Sequence, residues 1–204
     1  MGLPQETILY LVGLSVMATL VAFARQIIGI KGFGIYTSLL LSFSFLILGL
    51  KYGLLTFAIV LLAGTATRIL LKKLRLAYLP RMAIVLTLVA LALLLMFLIA
   101  SYFSFGQVLN VSVLGVLIMI SLVEKFIAAQ IDKGRRTAIL LTLETLFLAI
   151  VSYFLISWDA FRSLILNFPL LIVLLSLFVN ILLGKWTGLR LFEYWRFKEV
   201  LKRN

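Results

Sequence analysis

Three ionisable side chains, Arg68, Glu124 and Glu144, and one amide, Asn180, stand inside long apolar runs of a 204-residue chain. A charge at the centre of a hydrocarbon layer costs about 3 kcal/mol on insertion scales, so such a side chain faces protein or water. The chemistry these four could do together is that of a polar pocket, with Arg68 pairing one or both glutamates and Asn180 at similar depth. The alternative is structural: Arg68 and Glu124, each about one turn from the end of its run, snorkel to the interface or form a helix–helix pair. Glu144, roughly 9 Å inside its run at ~1.5 Å per residue, is less easily explained in that way.

Other chemistry is excluded by composition. There is no cysteine and no histidine. Disulfides, thiol nucleophiles, His-ligated metals and His-based triads are therefore absent. Asp132 and Asp159 read as loop residues, which leaves no pair of membrane aspartates. Nothing beside Glu124 or Glu144 marks a nucleophile or an oxyanion site. The expectation is a non-enzyme with no metal and no cofactor.

The elements that must hold these residues follow from hydropathy. Hydrophobic residues make up 64% of the chain and charged residues 13%, about half the charge of an ordinary soluble domain. A water-soluble fold does not hide that much apolar surface, so the second solvent is a bilayer. Seven runs match the length of a membrane-crossing helix: 6–24, 34–50, 52–71, 82–103, 111–127, 138–157 and 165–184. Gly29, Gly32 and Gly34 break the chain after the first, and Gly49-Leu-Lys-Tyr-Gly53 after the second. Pro80 precedes the fourth, Gly106 and Asn110 follow it, and Gly134 follows the fifth. The predicted fold is all-α and polytopic, with a seven-helix domain over 1–184 and a basic, aromatic tail over 185–204. The leader "MGLPQET" lacks the cationic region of a signal peptide, and Glu6 stands where a myristoylation motif has Ser or Thr.

Charge gives the predicted orientation. Loop one holds Arg25 and Lys31; loop three Lys72, Lys73, Arg75 and Arg81; loop five Lys125, Lys133, Arg135 and Arg136. The tail holds Lys185, Arg190, Arg196, Lys198, Lys202 and Arg203. Against these sixteen, the N-terminus and the even loops hold only Lys51 and Arg162. Cytoplasmic loops carry the excess of Lys and Arg. The N-terminus is thus expected outside and the C-terminus in the cytoplasm of a multi-pass inner-membrane protein. The net charge of +12 reads as contact with anionic lipid, not nucleic acid, for which there is no fold signature.

Gly49/Gly53 and Gly184/Gly188 have GxxxG spacing, but both straddle a run end, which favours turns or caps. In the tail, Glu193 stands three residues from Arg190 and from Arg196, a spacing that supports a short helix. Trp186, Tyr194 and Trp195 among these charges suit the headgroup zone.

Four segments together resemble a known family, the bacterial seven-transmembrane domain usually fused to an inactive transglutaminase-like domain. They are "RQIIGIKGFG" at 25–34, "LRLAYLPRMA" at 74–83, "VEKFIAAQIDKGRRTAI" at 123–139 and "GKWTGLRLFEYWRF" at 184–197. In the family a large extracytoplasmic region precedes the helices; here that region is expected to be absent or supplied by a separate polypeptide. Lys125 stands at an arginine-like position, and Ser38 near a family proline. The resemblance implies a peptide- or glutamate-ligase-type modification or polymer-synthesis system, with an ATP-grasp ligase-like or transglutaminase-like protein as partner. The expected role is a membrane scaffold or anchor subunit. Its partner and lipid contacts would be Lys72, Lys73, Arg75, Arg81, Lys133, Arg135, Arg136, Arg190, Glu193 and Arg196. The alternative is a carrier or conduit for an anionic peptide or polymer.

Overall fold

A computed structural model describes residues 4–71, 77–102 and 113–186. Regular structure among them is helical: α1 (Gln5–Phe23), continued by a π-turn (Ala24–Ile28), α2 (Ile35–Leu48), α3 (Leu50–Leu71) and α4 (Tyr78–Tyr102). After these come α5 (Val113–Asp132), α6 (Arg135–Ser157), α7 (Asp159–Asn167) and α8 (Pro169–Gly184). Hydrocarbon offers no partner for a backbone N–H or C=O, so each apolar run satisfies its own by winding into a helix.

The breaks are backbone-driven. Gly29, Gly32, Gly34, Gly49 and Gly134 all have positive φ, a region that an L side chain enters only at a cost. Gly49 alone separates α2 from α3. Gly53, expected to share that turn, instead lies one turn inside α3 and is buried. Pro80 sits in the first turn of α4, where its missing N–H would have had no helical partner anyway.

Five helices are long and apolar enough to cross a membrane: Gln5–Ile28, Leu50–Leu71, Leu79–Ile99, Leu114–Asp132 and Arg135–Ser157. α7 and α8 make a sixth if counted together, though they are bent by 103°. α2 has 14 residues, about 21 Å of helix. The seventh expected run, 165–184, is corrected: its helix starts at Pro169, and its first three residues join 159–164, expected as loop, in a separate helix, Asp159–Asn167. The cause is Pro169. The residue before a proline is kept out of the helical region; Phe168 has φ −132° and ψ 58°, and Pro169 opens the new helix, where proline is preferred.

The described chain divides into two units, Met1–Leu39 with Glu144–Asn204, and Leu40–Leu143. In the first, Gly13 packs on Ile156, and Val21 and Ala24 on Leu148, so α1 runs antiparallel to α6. Thr19 meets Asn180 and Gln26 meets Trp186; the numbers rise together, so α1 and α8 run parallel. In the second unit, Gly53 abuts Met119, and Gly64 abuts Val123 and Ile127. α3 and α5 are therefore parallel as well.

The radial distribution suits lipid. Leu62, Leu70 and Leu170 are 71%, 69% and 74% exposed, while Ser38, Ser42, Ser44, Thr56 and Ser152 are fully buried. In a bilayer, burying leucine brings no hydrophobic gain. Small and hydroxyl residues instead fill helix contacts, where they allow close approach and hydrogen bonding.

Candidate functional site

The first loop is built around Glu144. Its Oε2 accepts the backbone N–H groups of Lys31 at 2.8 Å and Gly32 at 2.7 Å. Thr145 Oγ1 accepts the Phe33 N–H at 2.9 Å. Gly32, at φ 48°, lets three successive N–H groups converge on one turn of α6. A Cβ at Gly32 would stand 3.1 Å from Thr145 Oγ1. Two backbone donors on one carboxylate oxygen tie this loop to α6. Glu144 thus closes the loop that follows α1.

The π-turn shapes the other side of this loop. Both the Gly29 and Ile30 N–H groups donate to the Ala24 carbonyl. Such wide turns occur frequently at functional sites. Here Arg25 and Gln26 both line a cavity of about 500 Å³ with Lys31 and Asn180. Asn180 Nδ2 donates to Thr19 Oγ1 at 2.8 Å, and Gln26 Nε2 to the Trp186 carbonyl at 3.4 Å.

In the second unit, Arg68 donates to Gln130 twice, from Nη1 to Oε1 and from Nη2 to the backbone carbonyl at 3.1 Å. Arg135 shares a smaller cavity with them, about 150 Å³. Glu124 is exposed on α5. The arginine–glutamate pairing considered for Arg68 is replaced by an amide partner. Of the four membrane candidates, Glu144 and Asn180 belong to one unit, Arg68 and Glu124 to the other. Each of the three with a hydrogen bond above has a different partner. Sequence reading did not single out Gln130, Thr19, Thr145 or the backbone of loop one as partners. Gln130 is a polar residue one turn beyond the fifth run, and without a charge it carries no hydropathy signal strong enough to mark it.

Among the proposed partner contacts, Lys133, Arg135 and Arg136 are exposed around the turn at Gly134. Arg81 is half-buried on α4. Lys72, Lys73, Arg75, Arg190, Glu193 and Arg196 lie outside the described residues, as do Gly106, Asn110, Gly188 and most of the 185–204 tail. Among the described residues no group of three or more acidic, His or Cys side chains could hold a metal ion.

Apolar helices of membrane-crossing length, exposed leucines and buried hydroxyls define an all-helical, multi-pass membrane protein. Within that class the chain belongs to the family described as seven transmembrane helices usually fused to an inactive transglutaminase, whose profile matches residues 3–201. No curated protein and no solved structure matches it.

Proposed function

We propose that this protein is a non-catalytic scaffold of the inner membrane: seven crossings, N-terminus outside, C-terminus in the cytoplasm, and a cationic cytoplasmic face that holds a soluble partner. The observation that carries this reading is how the membrane-embedded polar groups are used. Glu144 caps a loop, Arg68 is tied to Gln130, and Asn180 is tied to Thr19. Each bond joins helix to helix or helix to loop, and none aligns a base with a nucleophile.

Two further features support the topology. α1 and α8 run parallel, as a first and a last crossing do when their number is odd. The seven-crossing count takes α2 as a short crossing, which a locally thinned bilayer or snorkelling flanking residues accommodate, and α7–α8 as one crossing with a bent outer end. The exposed triplet Lys133, Arg135 and Arg136 then faces the cytoplasm.

The partner proposed is an ATP-grasp ligase-like or transglutaminase-like protein of a peptide- or glutamate-ligase-type modification or polymer-synthesis system. Its chemistry would be an acidic surface, complementary to those cations. Pulldown of such a ligase by the full chain in detergent is expected, and R135E/R136E is expected to lower capture at least about tenfold as like charges meet. Undiminished capture by the double variant would remove the cationic turn from the interface.

The carrier alternative has one observation in its favour, the 103° bend between α7 and α8, since carriers use broken helices. It requires that E144Q and R68A stop export of an anionic polymer from cells; normal export by both variants ends it.

A further inference from the structure

α1 and α8 enclose a second cavity beside the polar one. It measures about 370 Å³ and is lined almost wholly by apolar groups, among them Phe23, Leu155, Phe161, Leu164, Leu175 and Val179. Thr19 lines this apolar chamber and Asn180 lines the polar one, and the two side chains are hydrogen-bonded to each other. Two chambers of opposite character therefore lie along one helix seam, with a single polar contact at their junction.

Two cationic side chains line the polar chamber. Arg25 and Lys31 are both among its lining residues, and neither side chain forms an ion pair with a carboxylate among the described residues. Glu144 does not line it, and its Oε2 is turned to two backbone N–H groups. Gln26 and Asn180 add neutral amides. Arginine and lysine with amide donors are a recurrent set for phosphate oxygens. The chamber lies at the end of α1 and α8 where Trp186 is exposed, the depth at which amphipathic rings meet headgroups. α7 forms one side of the other chamber through Phe161 and Leu164.

We infer that this seam is a binding site for a phosphate-bearing lipid of net negative headgroup. The phosphate sits between Arg25 and Lys31, and a length of acyl or isoprenoid chain lies in the chamber under α7. A free phosphate would use the first chamber and leave the second empty; a neutral lipid would use the second and leave two cations that have no ion-pair partner among the described residues. Only an anionic amphiphile satisfies both. The site does not depend on which face of the membrane it occupies, nor on the scaffold reading.

The test uses the purified full chain in a mild detergent, with phosphatidylglycerol, phosphatidylcholine, glycerol 3-phosphate or inorganic phosphate added in turn. Phosphatidylglycerol is expected to raise Tm by about 5 °C, because a ligand that binds only the folded state stabilises it. Phosphatidylcholine and the two soluble phosphates should move it by less than about 1 °C. R25Q/K31Q should lose most of that rise, while R135Q/R136Q, which removes the same charge elsewhere, should keep it. Equal loss in both variants would mean diffuse attraction to a basic surface and would overturn the site. An equal rise with inorganic phosphate would overturn the lipid. Should R25Q/K31Q fail to fold, a phosphatidylglycerol with a photoactivatable acyl chain decides on the unmodified chain. Adducts on α7, at Phe161 or Leu164, support the site, and adducts confined to outward-facing leucines such as Leu62 and Leu170 reject it.

Discussion

A lone carboxylate in an apolar run raises one question, which is what answers its charge. For Glu144 the answer is backbone, from residues 113 and 112 positions away in the chain. Hydrogen bonds to charged groups contribute about 1.5–3 kcal/mol each, and Glu144 is half-buried, so the lower end applies. E144A is expected to destabilise the chain by about 3 kcal/mol in a reversible unfolding titration. E144Q, which keeps an acceptor oxygen, should cost about half of that. The same substitution should raise amide exchange at Lys31 and Gly32 and leave Gly134 unchanged. If E144A unfolds like the unmodified chain, the loop is held by something else. Hydropathy picked Glu144 out because its cost is a local property of residue type. It did not reveal that loop one supplies the donors, because a backbone N–H has no signature in the sequence. Arg68 teaches the same: its cost was visible, and its neutral partner Gln130 was not.

At the scale of elements, α3 and α5 meet through glycine. A Cβ on Gly64 would stand 2.5 Å from Val123 Cγ1, closer than van der Waals contact permits. G64A should therefore cost about 1–3 kcal/mol, as overpacking does. V123A combined with it should recover part of that loss, a coupling expected of neighbours in contact. G184A, with nothing within 4 Å of its Cβ position, is the control and should change stability by less than about 0.5 kcal/mol. Full additivity of G64A and V123A would mean that the two positions do not touch. The GxxxG spacing at Gly49/Gly53 was read as turn geometry, and it splits: Gly49 turns the chain at φ 77°, while Gly53 lets Phe45 and Met119 approach α3. Spacing alone does not separate these roles, since glycine serves both for lack of a Cβ. The break at Phe168–Pro169 divides a run that hydropathy shows as continuous from 165 to 184, although a proline stands near its start. Its angle was not legible, because one proline permits a range of bends and neighbouring helices select among them.

For the whole molecule the membrane is the organising constraint. Ten cations in the odd loops and six in the tail, parallel α1 and α8, and parallel α3 and α5 are independent features that agree with alternate crossings. Reporter fusions at the two ends of the chain are expected to show activity in opposite compartments: a periplasmic reporter active at the N-terminus and a cytoplasmic one at the C-terminus. Adding Lys or Arg to the connection around Lys51 should weaken that bias, since orientation follows the difference in Lys and Arg between the faces. Signals from a single compartment at both ends would require an even number of crossings, and would exclude α2 or the α7–α8 pair as a crossing.

The sequence by itself determined the solvent, the helical class, the approximate position of every described membrane-length helix, and which side chains are costly where they stand. These are sums over about twenty consecutive residues, or properties of single residue types, and neither needs the fold. The tertiary structure alone decided who meets whom: Glu144 with the first loop, Arg68 with Gln130, Asn180 with Thr19, and two chambers of opposite polarity on one seam. Those pairings join segments far apart in the chain, and in lipid they are selected by close packing and hydrogen-bond geometry. Hydropathy is nearly uniform across these helices and carries no record of either.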